Sequence, residues 1–141
     1  MNQIISVRSA AMTYQARNGE VEALRSVSFD VAEGEFVSIV GPSGCGKSTL
    51  LGALAGLETL DGGTVELYGH PASGADGRMG FMPQRDQLFE WRSIRDNVML
   101  GLQIRRDRDP AHRDHVETLL KRYDLSEFAV KRPDQLSGGM R

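Results

Sequence analysis

Gly41-Pro42-Ser43-Gly44-Cys45-Gly46-Lys47-Ser48-Thr49 has the spacing of a phosphate-binding loop, G-x-x-x-x-G-K-[ST]. Its glycines let backbone N–H groups converge on an anion without Cβ clashes. A helix that follows adds free N–H groups and the positive end of its dipole. Lys47 can reach β- and γ-phosphates as a mobile charge, and the Ser48 hydroxyl can ligate Mg2+. Such a site takes a nucleoside triphosphate. Cys45 occupies a free position of the loop that tolerates a small side chain; a redox-sensitive thiol near a helix N-terminus is the alternative.

The loop needs a strand before it and a helix after it. FVSIV (36–40) is a short apolar run suited to a strand buried on both faces. LLGALAGL (50–57) puts Leu50, Leu54 and Leu57 on one helical face. Upstream, Val27, Phe29 and Val31 alternate with Ser28 and Asp30, a half-buried strand. Asp61-Gly62-Gly63 signals a turn into TVELYG, where Val65 and Leu67 alternate. MGFM (79–82) is a further strand candidate, and ASGADG (72–77) before it reads as a loop. Beyond that the pattern turns helical. Ser93 can cap a helix over 94–104, with Ile94, Val98 and Leu102 in line. Asp109-Pro110 starts another, capping carboxylate first and proline at the first helical position. Its stripe is Val116, Leu119, Leu120 and Tyr123, and Pro133 breaks the pattern ahead of LSGGMR. The chain therefore reads as α/β in two parts, a β-rich body over 1–84 and a helical section over 85–141.

Composition removes several classes. One cysteine makes no internal disulfide, so a stapled secreted scaffold is out. With 40% apolar residues in 141, disorder is out. No run of about 18 apolar residues offers a transmembrane helix, and the start MNQIISVRSAAMTY lacks signal-peptide character. A net charge of −2, from 17 basic and 19 acidic residues, argues against bulk binding to nucleic acid. The cluster Arg105, Arg106, Arg108 is interleaved with Asp107 and Asp109. It reads as a solvated loop or helix end, with a docking surface as the alternative.

Near the end, Leu136-Ser137-Gly138-Gly139 offers a second N–H-rich turn. With the phosphate loop upstream, the chain here resembles the ATP-binding subunits of ABC transporters. LSGGM is similar to their signature LSGGQ, with Met140 in the last place. Gln84, closing MGFMPQ, falls where the family has its Q-loop glutamine, and Tyr14 where it has the aromatic residue that stacks on adenine. A flat ring suits that role. Gln84 offers a carbonyl oxygen to Mg2+ and an N–H to a γ-phosphate or water. QRDQLFEWRSIRDNVMLGL (84–102) is similar to importer subunits of the nitrate, sulfonate, taurine and pyrimidine-precursor type. Leu88, Trp91, Asn97 and Val98 fit that pattern, while Glu90 replaces a proline.

The resemblance implies a P-loop NTPase of the ABC ATPase type, with a β-rich nucleotide-binding core and a helical subdomain, cut before the Walker B strand. It implies ATP and Mg2+ as cofactors. Tyr14, the residues Gly41 to Thr49, Gln84, Ser137, Gly138 and Gly139 would bind nucleotide. Lys47 and Gln84 would be catalytic, and Ser48 and Gln84 would hold the metal. It further implies a head-to-tail dimer with a second ATPase subunit, a transmembrane permease met through residues near 84–102, and a peripheral place on the cytoplasmic side of the plasma membrane. No apolar run followed by Asp-Glu occurs, and His70, His112 and His115 stand outside the family's switch context. The expectation is thus the N-terminal half of an import ATPase subunit. Its alternatives are an ATP-binding fragment without turnover and a soluble ABC ATPase of DNA repair or translation. Neutral charge and the Trp91 segment count against the last.

Overall fold

The computed structural model describes residues 2–17, 19–72, 74 and 77–141. Of the loop expected over 72–77, residues 73, 75 and 76 lie outside the described residues. The chain forms two compact units, Met1–Phe81 and Met82–Arg141.

The first unit is an antiparallel sheet with one helix. Its strands are β1 (Gln3–Ala16), β2 (Gly19–Ala32), β3 (Gly62–Leu67) and β4 (His70–Pro71), in the order β2-β1-β3-β4. β1 and β2 pair from Gln3↔Ala32 to Ala16↔Gly19, with register shifts around Ala10. Ser9 and Ser26 take positive φ there, and Ser9 N donates to Ser28 Oγ at 2.8 Å. β1 also pairs with β3 through Ile5↔Leu67 and Val7↔Val65. Thus the VSFDV strand forms as the alternation predicts, while the strand expected over TVELYG takes in Gly62 and Gly63 and ends at Leu67, where Tyr68 and Gly69 turn with positive φ. Helix α1 (Lys47–Leu54) packs on this sheet. Leu54 joins Val7, Ala10 and Val65 in one core cluster, and Leu50 joins Met12 and Leu24 in another.

Three expectations for this unit change. Helix α1 begins at Lys47 and stops at Leu54, short of the 50–57 span. Gly56, at φ +67°, ends it: its N–H donates to Ala53 O and Leu57 N to Gly52 O. FVSIV (36–40) does not form a doubly buried strand; Phe36 is 93% and Val40 89% exposed. MGFM (79–82) forms none either, and Met82 is exposed. A strand exists by pairing, and among the described residues neither run has a hydrogen-bonded neighbour.

The second unit is helical. α2 (Ile94–Val98) and α3 (Leu100–Ile104) replace the single helix expected over 94–104 and meet at Met99, which keeps helical angles. Ser93 caps α2 as predicted, accepting from Asp96 N at 3.1 Å. α4 (Pro110–Arg122) begins at the predicted Asp109-Pro110, with Asp109 accepting from Ala111 N at 2.9 Å. Ile94, Val116, Leu120, Ala129 and Leu136 make the core. Tyr123, expected on the α4 stripe, stays exposed because the helix ends beneath it: Tyr123 is the C-cap and the chain turns at Asp124, φ +56°. No described helix is long and apolar enough to cross a membrane.

Candidate nucleotide-binding site

The loop Gly41–Thr49 leads into the N-terminus of α1. Its cap is Gly46, at φ +89° and with no side-chain cap hydrogen bond. A Cβ at Gly46 would lie 2.1 Å from Ala23 O and 3.2 Å from Leu24 Cδ2. The loop therefore rests directly on strand β2, at a point where only glycine fits. Gly44 is also left-handed, at φ +80°, where space is open. The first-turn N–H groups of a helix have no intrahelical acceptor. With no capping side chain at Gly46, those of α1 remain available to an anion.

Lys47 folds back over the loop. Its Nζ donates to Gly41 O at 2.8 Å and Pro42 O at 2.6 Å, and lies 3.5 Å from Cys45 Sγ. The loop is thus closed around one ammonium. Cys45 is exposed and free, and Cys45 N donates to Pro42 O at 3.4 Å. Ser48 is exposed in the first turn of α1, and Ser43 is exposed in the loop. These residues fit a nucleotide phosphate with Mg2+: loop amides and a lysine for the oxygens, a hydroxyl for the metal.

Tyr14, near the end of β1, joins this site. The residue is 38% exposed and its hydroxyl reaches Thr49 Oγ1 at 3.5 Å. Thr13 N donates to Asp61 Oδ2 at 2.6 Å, and Asp61 N to Ala11 O at 3.0 Å. These bonds tie the end of β1 to the turn that opens β3. Tyr14, Gly41 to Thr49 and the strand-β2 backbone at Ala23 are therefore brought together within one unit. Sequence reasoning missed Ala23 and Thr49's bond to Tyr14. A carbonyl under a glycine leaves no trace in residue type.

Gln84, Ser137, Gly138 and Gly139 belong to the second unit. Gln84 is exposed at its start. Ser137 is extended (φ −68°, ψ 160°) and opens a single 3-10 turn over Gly138–Met140, with Met140 N donating to Ser137 O at 3.0 Å. Buried Leu136 anchors this turn in the core, and Arg141 holds it from behind: its Nε and Nη2 both donate to Leu136 O at 3.3 Å. A Cβ at Gly138 or Gly139 would meet nothing, so bare backbone faces outward there.

The segment 84–102 is organised by Asn97. Its Oδ1 accepts from Phe89 N at 2.7 Å, and its Nδ2 donates to Phe89 O at 3.1 Å and Ser93 O at 3.0 Å. The loop so pinned displays Trp91, 70% exposed, its ring 4.8 Å from that of Phe89. Leu88 packs against the helical core. The pinning role of Asn97 was not legible from its type.

Comparisons with known proteins agree with this layout. A family model described as ABC transporter matches residues 24–141. The chain is 39% identical over 137 residues to a taurine import ATP-binding protein of Jannaschia sp., covering 96% of this chain and 51% of that protein. It is 44% identical over 120 residues to an aliphatic sulfonates import ATP-binding protein of Agrobacterium fabrum, covering 85% and 44%. Among solved structures, a dimeric ATP-binding cassette in a post-hydrolysis state with ADP and Pi superposes with a TM-score of 0.84 at 31% identity, covering 97% of this chain and 65% of that one. The chain spans about half the length of the curated relatives it matches.

Proposed function

This chain belongs to the ABC transporter family, and from that premise we propose that it is the ATP-binding part of an import ATPase subunit. The observation that carries the reading is Lys47 folded over the Gly41 and Pro42 carbonyls at the uncapped start of α1. Lys47 neutralises β- and γ-phosphate oxygens, while the amides of Gly41, Pro42, Ser43, Gly44, Cys45, Gly46, Ser48 and Thr49 line the cradle, proline contributing backbone shape only. The Tyr14 ring stacks on the base. Ser48 would hold Mg2+, which would supply charge neutralisation for phosphoryl transfer, and Gln84 carries the amide that the family pattern gives to the same metal. Gln84 also orients the attacking water.

Ser137, Gly138 and Gly139 present bare backbone to nucleotide held by a second ATPase subunit, in a head-to-tail dimer. Dimeric cassettes among the similar structures support that arrangement. Trp91, exposed on the Asn97-pinned loop, supports contact of the 84–102 segment with a transmembrane permease. The subunit then works peripherally at the cytoplasmic face of the plasma membrane, and taurine and sulfonate importers among the relatives favour a small sulfonate-bearing solute. A second reading, ATP binding without turnover by these 141 residues alone, is favoured by the lack among them of an apolar run followed by Asp-Glu.

The test is a titration with fluorescent ATP analogue and Mg2+ on the chain and its Lys47→Ala variant, followed by phosphate release. Charge-assisted hydrogen bonds contribute about 1.5–3 kcal/mol, so Lys47→Ala weakens binding by roughly tenfold to a hundredfold. Equal affinity in both proteins overturns the reading. Binding with no phosphate release selects the second one.

A further inference from the structure

The run Arg105-Arg106-Asp107-Arg108-Asp109 nearly balances its charges in sequence, and the fold separates them. The Asp107 carboxylate turns inward, its side chain 20% exposed. It accepts from Asp109 N at 3.0 Å and pairs with His112 Nδ1 at 2.7 Å. The Asp109 carboxylate is engaged in capping α4 at Ala111 N. Arg106, Arg108 and Arg113 are exposed and make no ion pair among the described residues.

These three arginines line one depression of about 290 Å³, together with Met99, Leu102, Gln103 and Asp107. The turn that carries Arg106 and Arg108 is held firmly, and Arg113 stands on α4. Arg106 sits at φ +54°, its N–H donates to Gln103 O at 3.0 Å, and Asp107 N donates to Leu102 O at 2.9 Å. Pro110 then fixes the first residue of α4.

We propose that this depression is an anion site for a phosphate group, separate from the 41–49 loop. The planar guanidinium fork matches phosphate oxygens and is weakly hydrated, so it gives up water readily. Three forks around one depression can engage several oxygens of one phosphate. Met99 and Leu102 suit the carbon side of a phosphate ester. Of the nearby carboxylates, Asp109 caps α4, and Asp107, which shares the lining, bonds Asp109 N and His112 Nδ1, so three guanidinium charges stand against one lining carboxylate. A free phosphate ester and a phospholipid headgroup share this chemistry. The site does not depend on the nucleotide reading.

The experiment compares the chain with an Arg106→Gln/Arg108→Gln/Arg113→Gln variant. The probes are glycerol 3-phosphate in solution, and co-sedimentation with phosphatidylglycerol/phosphatidylcholine vesicles against phosphatidylcholine alone. We expect the variant to lose about tenfold or more in binding to at least one probe, and the wild-type signal to weaken with added salt. Loss confined to glycerol 3-phosphate identifies a soluble ester as the ligand source; loss confined to the phosphatidylglycerol vesicles identifies a headgroup. Equal binding by both proteins, or no binding of either probe to the wild type, overturns the site. Fluorescent ATP analogue bound equally by both proteins shows an intact 41–49 loop, so a failure of the nucleotide reading registers separately.

Discussion

The Tyr14 hydroxyl reaches Thr49 Oγ1 at 3.5 Å, linking the far end of strand β1 to the first turn of helix α1. These residues are 35 apart in sequence. Their meeting puts an exposed aromatic face beside a helix N-terminus that lacks a cap. An uncapped helix N-terminus and one ring thereby share a single edge of the first unit.

Tyr14→Phe keeps the ring and removes a long, exposed hydrogen bond. Affinity for ATP should stay within about twofold, since such a bond contributes little against water. Tyr14→Ala removes the stacking face, for which about 1–3 kcal/mol is typical, so Kd rises roughly fivefold to a hundredfold. Titration with ATP and GTP analogues checks both. Stacking is tolerant of base type, so the two nucleotides should lose affinity alike.

Gly46→Ala sets a methyl 2.1 Å from Ala23 O at a left-handed backbone position. Two penalties add there, overpacking of about 1–3 kcal/mol and the strain of φ +89°. The melting temperature should fall clearly. Gly44→Ala meets open space at φ +80° and should cost less, about 1 kcal/mol. Thermal denaturation of the pair separates contact from backbone strain; equal melting temperatures would refute the close approach at Ala23.

Asn97→Ala leaves the Phe89 N–H without its acceptor and frees the 89–93 loop from three carbonyl contacts. An unsatisfied, partly buried amide costs about 1–3 kcal/mol. Trp91 is the chain's single tryptophan, and it lies against Phe89. Its near-ultraviolet circular dichroism should diminish in the variant before the helices melt.

Asp107 is held below its ordinary pKa of 3.8, first by the Asp109 N–H and then by His112. A depressed carboxylate favours the folded state fully above its unfolded pKa. That contribution is lost as pH falls through the lower folded value. Stability should therefore decline below about pH 4, and Asp107→Asn should flatten that part of the profile. Urea midpoints between pH 2 and pH 6, on the order of the carboxylate range, provide the measurement. A profile unchanged by Asp107→Asn would show that Asp30, lowered by Arg8 and Ser6, and Glu22, lowered by Arg25, carry the acid sensitivity.

Local chemistry made much of this legible. Ser93 and Asp109 announce their helices because a capping oxygen must precede the first free N–H groups. Lys47 and the glycines announce the loop because its left-handed turns at Gly44 and Gly46 restrict the residue types allowed. Non-local pairing was less visible. FVSIV has strand composition yet no strand, because composition records burial preference and not a neighbour. Strand β1 alternates poorly: its bulge near Ala10 interrupts the period, with Ser9 at φ +45°. The family pattern singles out Tyr14 by position, whereas its contact with Thr49 emerges only when the strand and helix meet.

The β1–β2 pairing has a consequence for the order of events during synthesis. Ala16 opposes Gly19, so two 14-residue strands zip from adjacent ends, and little loop entropy opposes them. The hairpin is complete once Ala32 has left the ribosome; β3 follows about thirty residues later. Between them emerges Phe36-Val37-Ser38-Ile39-Val40, apolar and unpaired. The nascent chain therefore carries an adhesive stretch on an already ordered sheet. That stretch is where two nascent copies would stick to each other.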